Sequence, residues 1–481
     1  MKKVLVKEKK HVAEWVEGNK GALYQLSDAI WSYAELGMEE YQSSEDIIKY
    51  LKKNAFTVEE GVADMPTAFV ATFGSGKPAI AFSCEYDSLP GLSQDKGVNQ
   101  KSPIVAGAPG HGCGHNILGV AAITAAMALK NVMTDAGLQG TIKIFGTPAE
   151  ELCIGKPYMA RAGLFNDIDA FIDWHPLAAN MANYDTSNAY FNIKYHFRGR
   201  TAHGNSPWYG RSALDAAVLM GHMIELLREH TTPGNPPRAA NTINYSFPDV
   251  GPSFPSVVPD RATLWCIGRF VDTEEMNYVI HRAHKCAEAA AMATETEMEA
   301  EVISAIHEAI PNKTISQVLH DNLEIVGAPK FTEDEQNFAK KMQRDLGVTE
   351  TGLDIHIMPL SSGAGGVSDN SEYTWFAPFA MLGVTSCPKD VGWHNWQVTA
   401  CCGSTIGKKA LDVAAKIMAM TAIELAMHPE IIDKARKEFN ERLKGRIYKS
   451  LIPDTVKPPK LVNRETMDRY RSRLESHFEE P

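Results

Sequence analysis

Apolar residues recur at helical spacing from Asp28 to Tyr50, which predicts a helix there. Pro78-Ala-Ile-Ala-Phe-Ser-Cys84 is a short apolar run followed by polar residues, the pattern of a buried strand. Asn116 stands where a side chain can cap a helix of small residues, running through Ala121 and Ala125 to Met133. Thr141–Phe145 and Asp169–Trp174 read as two further strands. Strands alternating with helices predict an α/β unit: a mostly parallel sheet with helices on both faces.

The pattern changes near Asn188. Tyr190–Phe197 alternates as a half-exposed strand does, and Ser212–Glu229 is an amphipathic helix, broken by a run that begins Thr231-Thr-Pro-Gly. Arg261–Phe270 reads as a strand, Asp272–Thr294 as a second long helix and Glu295–Val302 as a returning strand. That order predicts an inserted α+β domain of one sheet and two helices. The chain then divides into a first part at 1–187, the insertion at 188–304 and a second part at 305–481. The last part carries a core strand at Ala380–Val384 and a long amphipathic helix at Thr405–Leu425. From Pro453 it is rich in proline and charge and reads as a surface arm; no internal repeat is present.

Composition narrows the function classes. Of 481 residues, 44% are hydrophobic and 22% charged, so the chain is globular and not disordered or collagen-like. The net charge of −11, without a basic cluster, argues against nucleic acid or an anionic membrane as partner. The longest apolar helical stretch, Gly119–Leu129, is too short to cross a bilayer and ends at Lys130. The first ten residues lack the apolar core of a signal peptide. Eight cysteines without a Cys-x-x-Cys pair fit free thiols in a reducing cytoplasm.

Four segments place metal-capable residues just after predicted strands: Cys84-Glu-Tyr-Asp87, His111-Gly-Cys-Gly-His115, Pro148-Ala-Glu-Glu151 and Trp174-His-Pro176. Ligands of open α/β sheets bind at the carboxyl ends of the strands, so these distant residues can converge. Cys113 and His115 are two apart in a glycine-rich turn, and thiolate with imidazole suits zinc and related divalent metals. Of Glu150 and Glu151, one can bind metal while the other serves as general base; alternatively the pair is an acidic helix start favoured by the dipole. Asp87 can orient a ligating imidazole, or be an ordinary turn aspartate. His175 and His394, the latter in Gly392-Trp-His-Asn-Trp396, are further candidate ligands, though a lone histidine is more often structural. Together Cys113, His115, Glu151, His175 and His394 could hold two metals. His203, in Gly199-Arg-Thr-Ala-His-Gly204 of the insertion, is either a loop histidine or an oxyanion-stabilising electrophile.

His-Gly-Cys-Gly-His-Asn, Pro-Ala-Glu-Glu and Trp-His-Pro in this order and spacing resemble the M20 metallopeptidase family. Within it the chain is most similar to the amidohydrolase branch, and its length and Trp-His-Asn-Trp-Gln397 resemble the B-subunit group of the p-aminobenzoyl-glutamate hydrolases. The resemblance implies a zinc-peptidase-like catalytic domain with an inserted ferredoxin-like lid that dimerises. It implies two divalent ions, zinc or manganese, on Cys113, His115, Glu151, His175 and His394. Glu150 matches the general acid/base, Asp87 the aspartate supporting the metals, and His203 a lid histidine that enters the partner's site. Two positions depart from the pattern. Many M20 peptidases have a metal-binding histidine where Glu85 stands, which amidohydrolase relatives also lack. Ser256, in Ser-Val-Val-Pro259, replaces an asparagine that often holds the substrate carboxylate; Arg269 could hold it instead through a bidentate fork, or be a surface ion pair.

The implied reaction is metal-assisted hydrolysis of the amide of an N-acyl or N-aroyl amino acid. Glu150 deprotonates water and passes the proton to the leaving amine. A second reading is a non-catalytic component, for substrate binding or structure, of a hetero-oligomeric amidohydrolase with a homologous partner. A third is a redox or structural zinc protein, for which the cysteine spacing is wrong. The expected partners are a small amide and a second copy of the chain through the lid, with neither nucleic acid nor membrane.

Overall fold

The computed structural model describes residues 6–235, 239–364 and 366–479. Helices α1 (Lys7–Tyr33) and α2 (Tyr41–Lys53) open the chain. The apolar spacing over Asp28–Tyr50 runs through both, so the single helix it predicts is in fact two. The break falls at Ala34, in the left-handed region at φ 45°. Glu35, Glu39 and Glu40 follow it, all buried. Glu35 accepts hydrogen bonds from the Gln42 and Ser43 N–H groups at 3.1 and 2.9 Å, capping the start of α2.

The chain continues through β1 (Thr57–Glu60), β2 (Phe69–Ser75), β3 (Ala79–Cys84), α3 (His115–Ala136), β4 (Gly140–Gly146), α4 (Gly155–Arg161), β5 (Ala170–Leu177) and β6 (Met181–Asn183). The insertion follows: β7 (Ala189–Arg198), α5 (Ala213–Arg228), the short pair β8 (Gly234–Asn235) and β9 (Ala239–Ala240), β10 (Thr242–Gly251), β11 (Arg261–Phe270), α6 (Thr273–Thr294) and β12 (Glu297–Ile306). Then come α7 (Lys313–Val326), α8 (Glu333–Leu346), β13 (Phe379–Thr385), α9 (Trp396–Cys402), α10 (Thr405–Met427), α11 (Pro429–Leu443) and α12 (Arg464–Glu479).

The main sheet has the order β1-β2-β4-β3-β5-β13-β6. Its centre, β4-β3-β5-β13, is parallel, and the strands outside it pair antiparallel. Ile80, Phe82, Ile144, Ile172 and Leu382 pack on one face against α1, α3 and α10; Ala81, Phe145 and Phe171 pack on the other against α4 and Tyr373. Burial on both faces is why these strands read as continuous apolar runs. Helix α3 is long and apolar enough by composition to span a membrane, contrary to the reading from Gly119–Leu129 alone. Its apolar side chains are instead buried between the sheet, α1 and α10. Asn116 does not cap it. Gly114 precedes the helix at φ 83°, and the Asn116 amide donates to the Cys402 carbonyl at 3.2 Å.

The insertion forms an antiparallel sheet, β10-β11-β7-β12, with α5 and α6 packed on it. The chain order βαββαβ with that strand order is ferredoxin-like. Ser212 and Asp272 cap α5 and α6 by accepting from Asp215 and Glu275 N–H. Glu295 ends α6 in the left-handed region, so β12 starts two residues later than the apolar pattern suggests.

The C-terminal arm is a docked helix. On α12, Met467 and Leu474 are buried, Arg471 pairs with Glu35, and Arg464 Nε donates to Glu39 Oε1 at 2.6 Å. The arm thus pins the α1–α2 break. Glu35 is fully buried and keeps its other donors, so Arg471→Ala should lower the unfolding free energy by about 2 kcal/mol. Denaturant unfolding checks this, and a change under about 0.5 kcal/mol, the size of an ordinary surface substitution, would show that the arm does not hold the break.

Candidate metal centre

The ends of the parallel strands deliver the chemistry. Chain leaving β3 carries Glu85 and Asp87, chain leaving β4 carries Glu150 and Glu151, and β5 ends with His175 inside the strand. The turn before α3 supplies Cys113, and the first residue of α3 is His115. Helix α3 approaches β3 closely because Gly119 has no side chain: a Cβ there would stand 2.4 Å from the Glu85 carbonyl oxygen. His394 comes from the loop after β13, and its N–H donates to the Gly112 carbonyl at 3.2 Å, which ties the two ligand loops together.

The Glu150–Glu151 turn is bracketed by two non-glycine residues in the left-handed region, Ala149 at φ 56° and Cys153 at φ 54°. Such positions cost about 1 kcal/mol and persist where surroundings dictate them. Here Glu40 accepts from the Ala149 N–H at 2.8 Å, and Gly37 packs so close that a Cβ would meet the Ala149 Cβ at 2.7 Å.

Three donor sets lie with their ligand atoms within 4.8 Å: Cys113, His115 and His175; Cys113, Glu151 and His394; Glu85, His115 and Glu150. His115 Nδ1 is 2.8 Å from Asp87 Oδ1 and His175 Nδ1 is 2.7 Å from the Pro176 carbonyl, assigning the proton to Nδ1 in both rings. Nε2 of each ring is then left with a lone pair for a ligand. Cys113 Sγ lies 3.4 Å from His175 Nε2, and His394 Nε2 3.2 Å from Glu151 Oε2. Asp87 also accepts from the Glu151 N–H at 3.1 Å, so one carboxylate sets both a ring and a turn.

His115 Nε2, Glu151 Oε1 and Glu85 Oε2 are buried without a hydrogen-bond partner. Native interiors rarely leave such atoms unpaired, at a cost of about 1–3 kcal/mol each. Their convergence, and two donor sets of sulfur, nitrogen and oxygen that share Cys113, fit a pair of divalent ions.

Glu150 is nearly buried; Ser368 Oγ donates to its Oε1 at 2.9 Å, and its Oε2 lies 3.9 Å from His115 Nε2. Burial, then repulsion from Glu85, pushes the Glu150 carboxyl up. Burial also pushes Glu151 up to about 8 and the Cys113 thiol upward, and lowers His175 to about 4.

Sequence reasoning missed the groups beneath the cluster. Lys156 is wholly buried, pairs with Asp369, and places Nζ 2.8 Å from Glu85 Oε1. Burial opposes the charge on Glu85, but the Lys156 ammonium and His115 outweigh it and hold that carboxyl below its ordinary value. The only sequence signal was Glu85 itself, a charge at the end of an apolar strand.

Three candidates from the insertion keep their own contacts. His203 is exposed, and its Nδ1 accepts from the Asn205 N–H at 3.0 Å. Ser256 is exposed, and its carbonyl accepts from the Gly204 N–H at 2.7 Å. Arg269 lies over the Tyr190 ring at 5.8 Å. Cys401 and Cys402 are buried in the core and belong to none of the donor sets among the described residues.

Comparison with known proteins gives the family. The B-subunit of Escherichia coli p-aminobenzoyl-glutamate hydrolase is 32% identical over 93% of this chain and 98% of its own length. The Mus musculus Xaa-Arg dipeptidase is 28% identical over 90% of this chain and 93% of its own. The structure of a Bacillus subtilis dinuclear metal-binding M20 peptidase matches with a TM-score of 0.53 at 17% identity, over 85% of this chain and 99% of that one, a likeness of fold. The pattern of peptidase family M20/M25/M40 matches residues 81–419, and the chain belongs to that family of hydrolases.

Proposed function

We propose that the protein is a metal-dependent amidohydrolase that cleaves an N-acyl or N-aroyl amino acid of the p-aminobenzoyl-glutamate kind, with Glu150 as general base. The observation that carries this is the position of Glu150: nearly buried, beside the donor sets, fixed by Ser368 and not needed in either set that shares Cys113. Cys113, His115, Glu151, His175 and His394 would hold two divalent ions, zinc or manganese. The chemistry supplied there is Lewis acidity, which polarises a carbonyl and acidifies water. Asp87 keeps the His115 lone pair aimed at the site. Glu150, with its proton affinity raised by burial, takes a proton from water and passes it to the departing amine.

In this reading residues 188–304 are a lid between catalytic segments 1–187 and 305–481. His203 steadies the oxyanion across a dimer of lids; Ser256, whose carbonyl accepts from the Gly204 N–H next to His203, and Arg269, at the far end of β11 with its bidentate fork, are the two candidates for the substrate carboxylate. The free thiols suit a reducing cytoplasm. A second reading, a chain that works only together with a homologous partner, draws on the hydrolase relative from Escherichia coli, itself one of two named subunits. Turnover by the purified chain alone would separate the two.

Glu150→Gln keeps the Ser368 contact but not the base, so kcat should fall about a thousandfold with metal content unchanged. Steady-state kinetics beside metal analysis checks this; a loss under tenfold would remove Glu150 from the role. Metal affinity should also depend on pH. Burial keeps protons on Cys113 and, below about 8, on Glu151, and bound metal must displace them. Affinity should therefore rise with pH, by about tenfold per unit for each proton released. Chelator competition at several pH values reads the slope, and a flat profile would contradict a thiolate ligand.

A further inference from the structure

A cavity of about 160 Å³ lies against β13 and β6, on the face that carries Phe379, Met381 and Gly383. Apolar groups form most of its wall, among them Leu177, Met181, Val367 and Ile310. Three polar atoms of wall residues are buried without a hydrogen-bond partner: Asp185 Oδ1, Asn370 Oδ1 and Ser371 Oγ, the last two in residues 5% and 2% exposed.

Two connections set this cavity beside the candidate metal centre. Ser368 is part of the wall, and its hydroxyl is the one that donates to Glu150 at 2.9 Å. Gly383 is the register partner of His175 in the parallel β5–β13 pair, one strand spacing or about 4.8 Å away. Leu177, two residues beyond His175, shares its face of β5. Gly383 lets the wall residue Leu177 lie directly on β13, since a Cβ there would stand 2.4 Å from Leu177 Cδ1. The rest of the wall comes from both connections to the insertion, 184–187 and 309–312.

Resting on the amidohydrolase reading, we propose that this cavity receives the acyl half of the substrate as a single aromatic ring carrying an N–H donor on its far edge. An apolar cavity of about 150 Å³ accommodates benzene, so the volume matches one ring and not a fused pair. Asn370 Oδ1 is an acceptor without a donor, and a ring amine or amide N–H supplies one. An acetyl group leaves the cavity unfilled and Asn370 unpaired, so the preference for the ring arises from both terms. The ring also touches the two connections, which makes its arrival a contact that the insertion can register.

The test compares p-aminobenzoyl-glutamate with acetyl-glutamate, which share the amine half, on the metal-loaded protein. Wild type favours the aroyl substrate by at least a hundredfold in kcat/KM. Val367→Trp fills the cavity and lowers that ratio at least tenfold; Met381→Trp fills it from another wall and serves if the first variant fails to fold. A ratio unchanged in the folded variants overturns the proposal. Direct binding separates this failure from failure of the hydrolytic reading. Calorimetry should show p-toluidine binding wild type at least tenfold more tightly than toluene, and not binding Val367→Trp. That pattern without turnover of either amide retains the cavity's chemistry and overturns hydrolysis; equal binding of the two probes overturns the donor assignment. p-Toluidine should compete with the aroyl substrate, and non-competitive inhibition would assign the cavity to a free aromatic amine instead and overturn the acyl pocket.

Discussion

Negative charge gathered inside the protein is the constraint on which the rest depends. Glu85, Asp87, Glu150, Glu151, Asp173 and Asp369 are buried or nearly so around the ends of the parallel strands. Taking each ion out of water costs several kcal/mol unless it is paired. Lys156 balances Glu85 and Asp369. Burial pushes Glu150, Glu151 and Asp173 toward their protonated forms, with Glu85 adding to the effect on Glu150 and Asp173. A divalent ion bound at such a cluster would displace those protons, so its uptake would be coupled to proton release.

That concentration also explains why distant elements are needed. Ala149, Cys153 and His394, at φ 57°, sit in the left-handed region at the points where the chain must turn candidate ligands inward. None is glycine, so the conformation is imposed. Glu40 holds Ala149, Ser304 donates to the Cys153 carbonyl, and Gly112 receives the His394 N–H. Glu40 belongs to the α1–α2 break, which α12 secures, and Ser304 belongs to the edge strand of the insertion. Elements at both ends of the chain thus bear on one turn of two glutamates.

The four central strands of the sheet, and the candidate residues that the structure gathers at their ends, were legible because their signals are local; the outer strands β1, β2 and β6 were not. Apolar runs mark the central strands, and the Cys113–His115 turn, the Glu150–Glu151 pair and Asp87 follow them directly. Tertiary requirements were not legible. Apolar spacing passes through the break at Ala34 because both helices bury the same side, and nothing in Tyr33-Ala-Glu announces a left-handed residue. Asn116 has the chemistry of a cap, yet the backbone reverses two residues earlier at Gly114, and the amide is spent on the Cys402 carbonyl. Lys156 lies in an apolar segment, where lysine usually means a surface, and its partners Glu85 and Asp369 are far away in sequence. Among the described residues, His203, Ser256 and Arg269 have no neighbour in the cluster, and no local signal in the sequence foretold that separation.

Glu85 and Lys156 are best understood as one unit. A histidine in place of Glu85 would offer a ring nitrogen but no charge, and Lys156 would be left with Asp369 alone beside candidate metal ligands. With Glu85, one carboxylate oxygen answers the ammonium at 2.8 Å, and the other faces His115 Nε2 at 3.4 Å. The pair is close to neutral, so Glu85 brings orientation to the centre and little net attraction for cations. Lys156 also binds Asp369 through its backbone N–H at 3.3 Å as well as its side chain. Asp369 lies between Ser368, which holds Glu150, and Asn370, which walls the apolar cavity. One buried cation therefore bears on Glu85, on the Ser368 contact to Glu150 and on the edge of the apolar cavity beside it. Its loss would disturb all three together, because the same two carboxylates would be left buried without a countercharge.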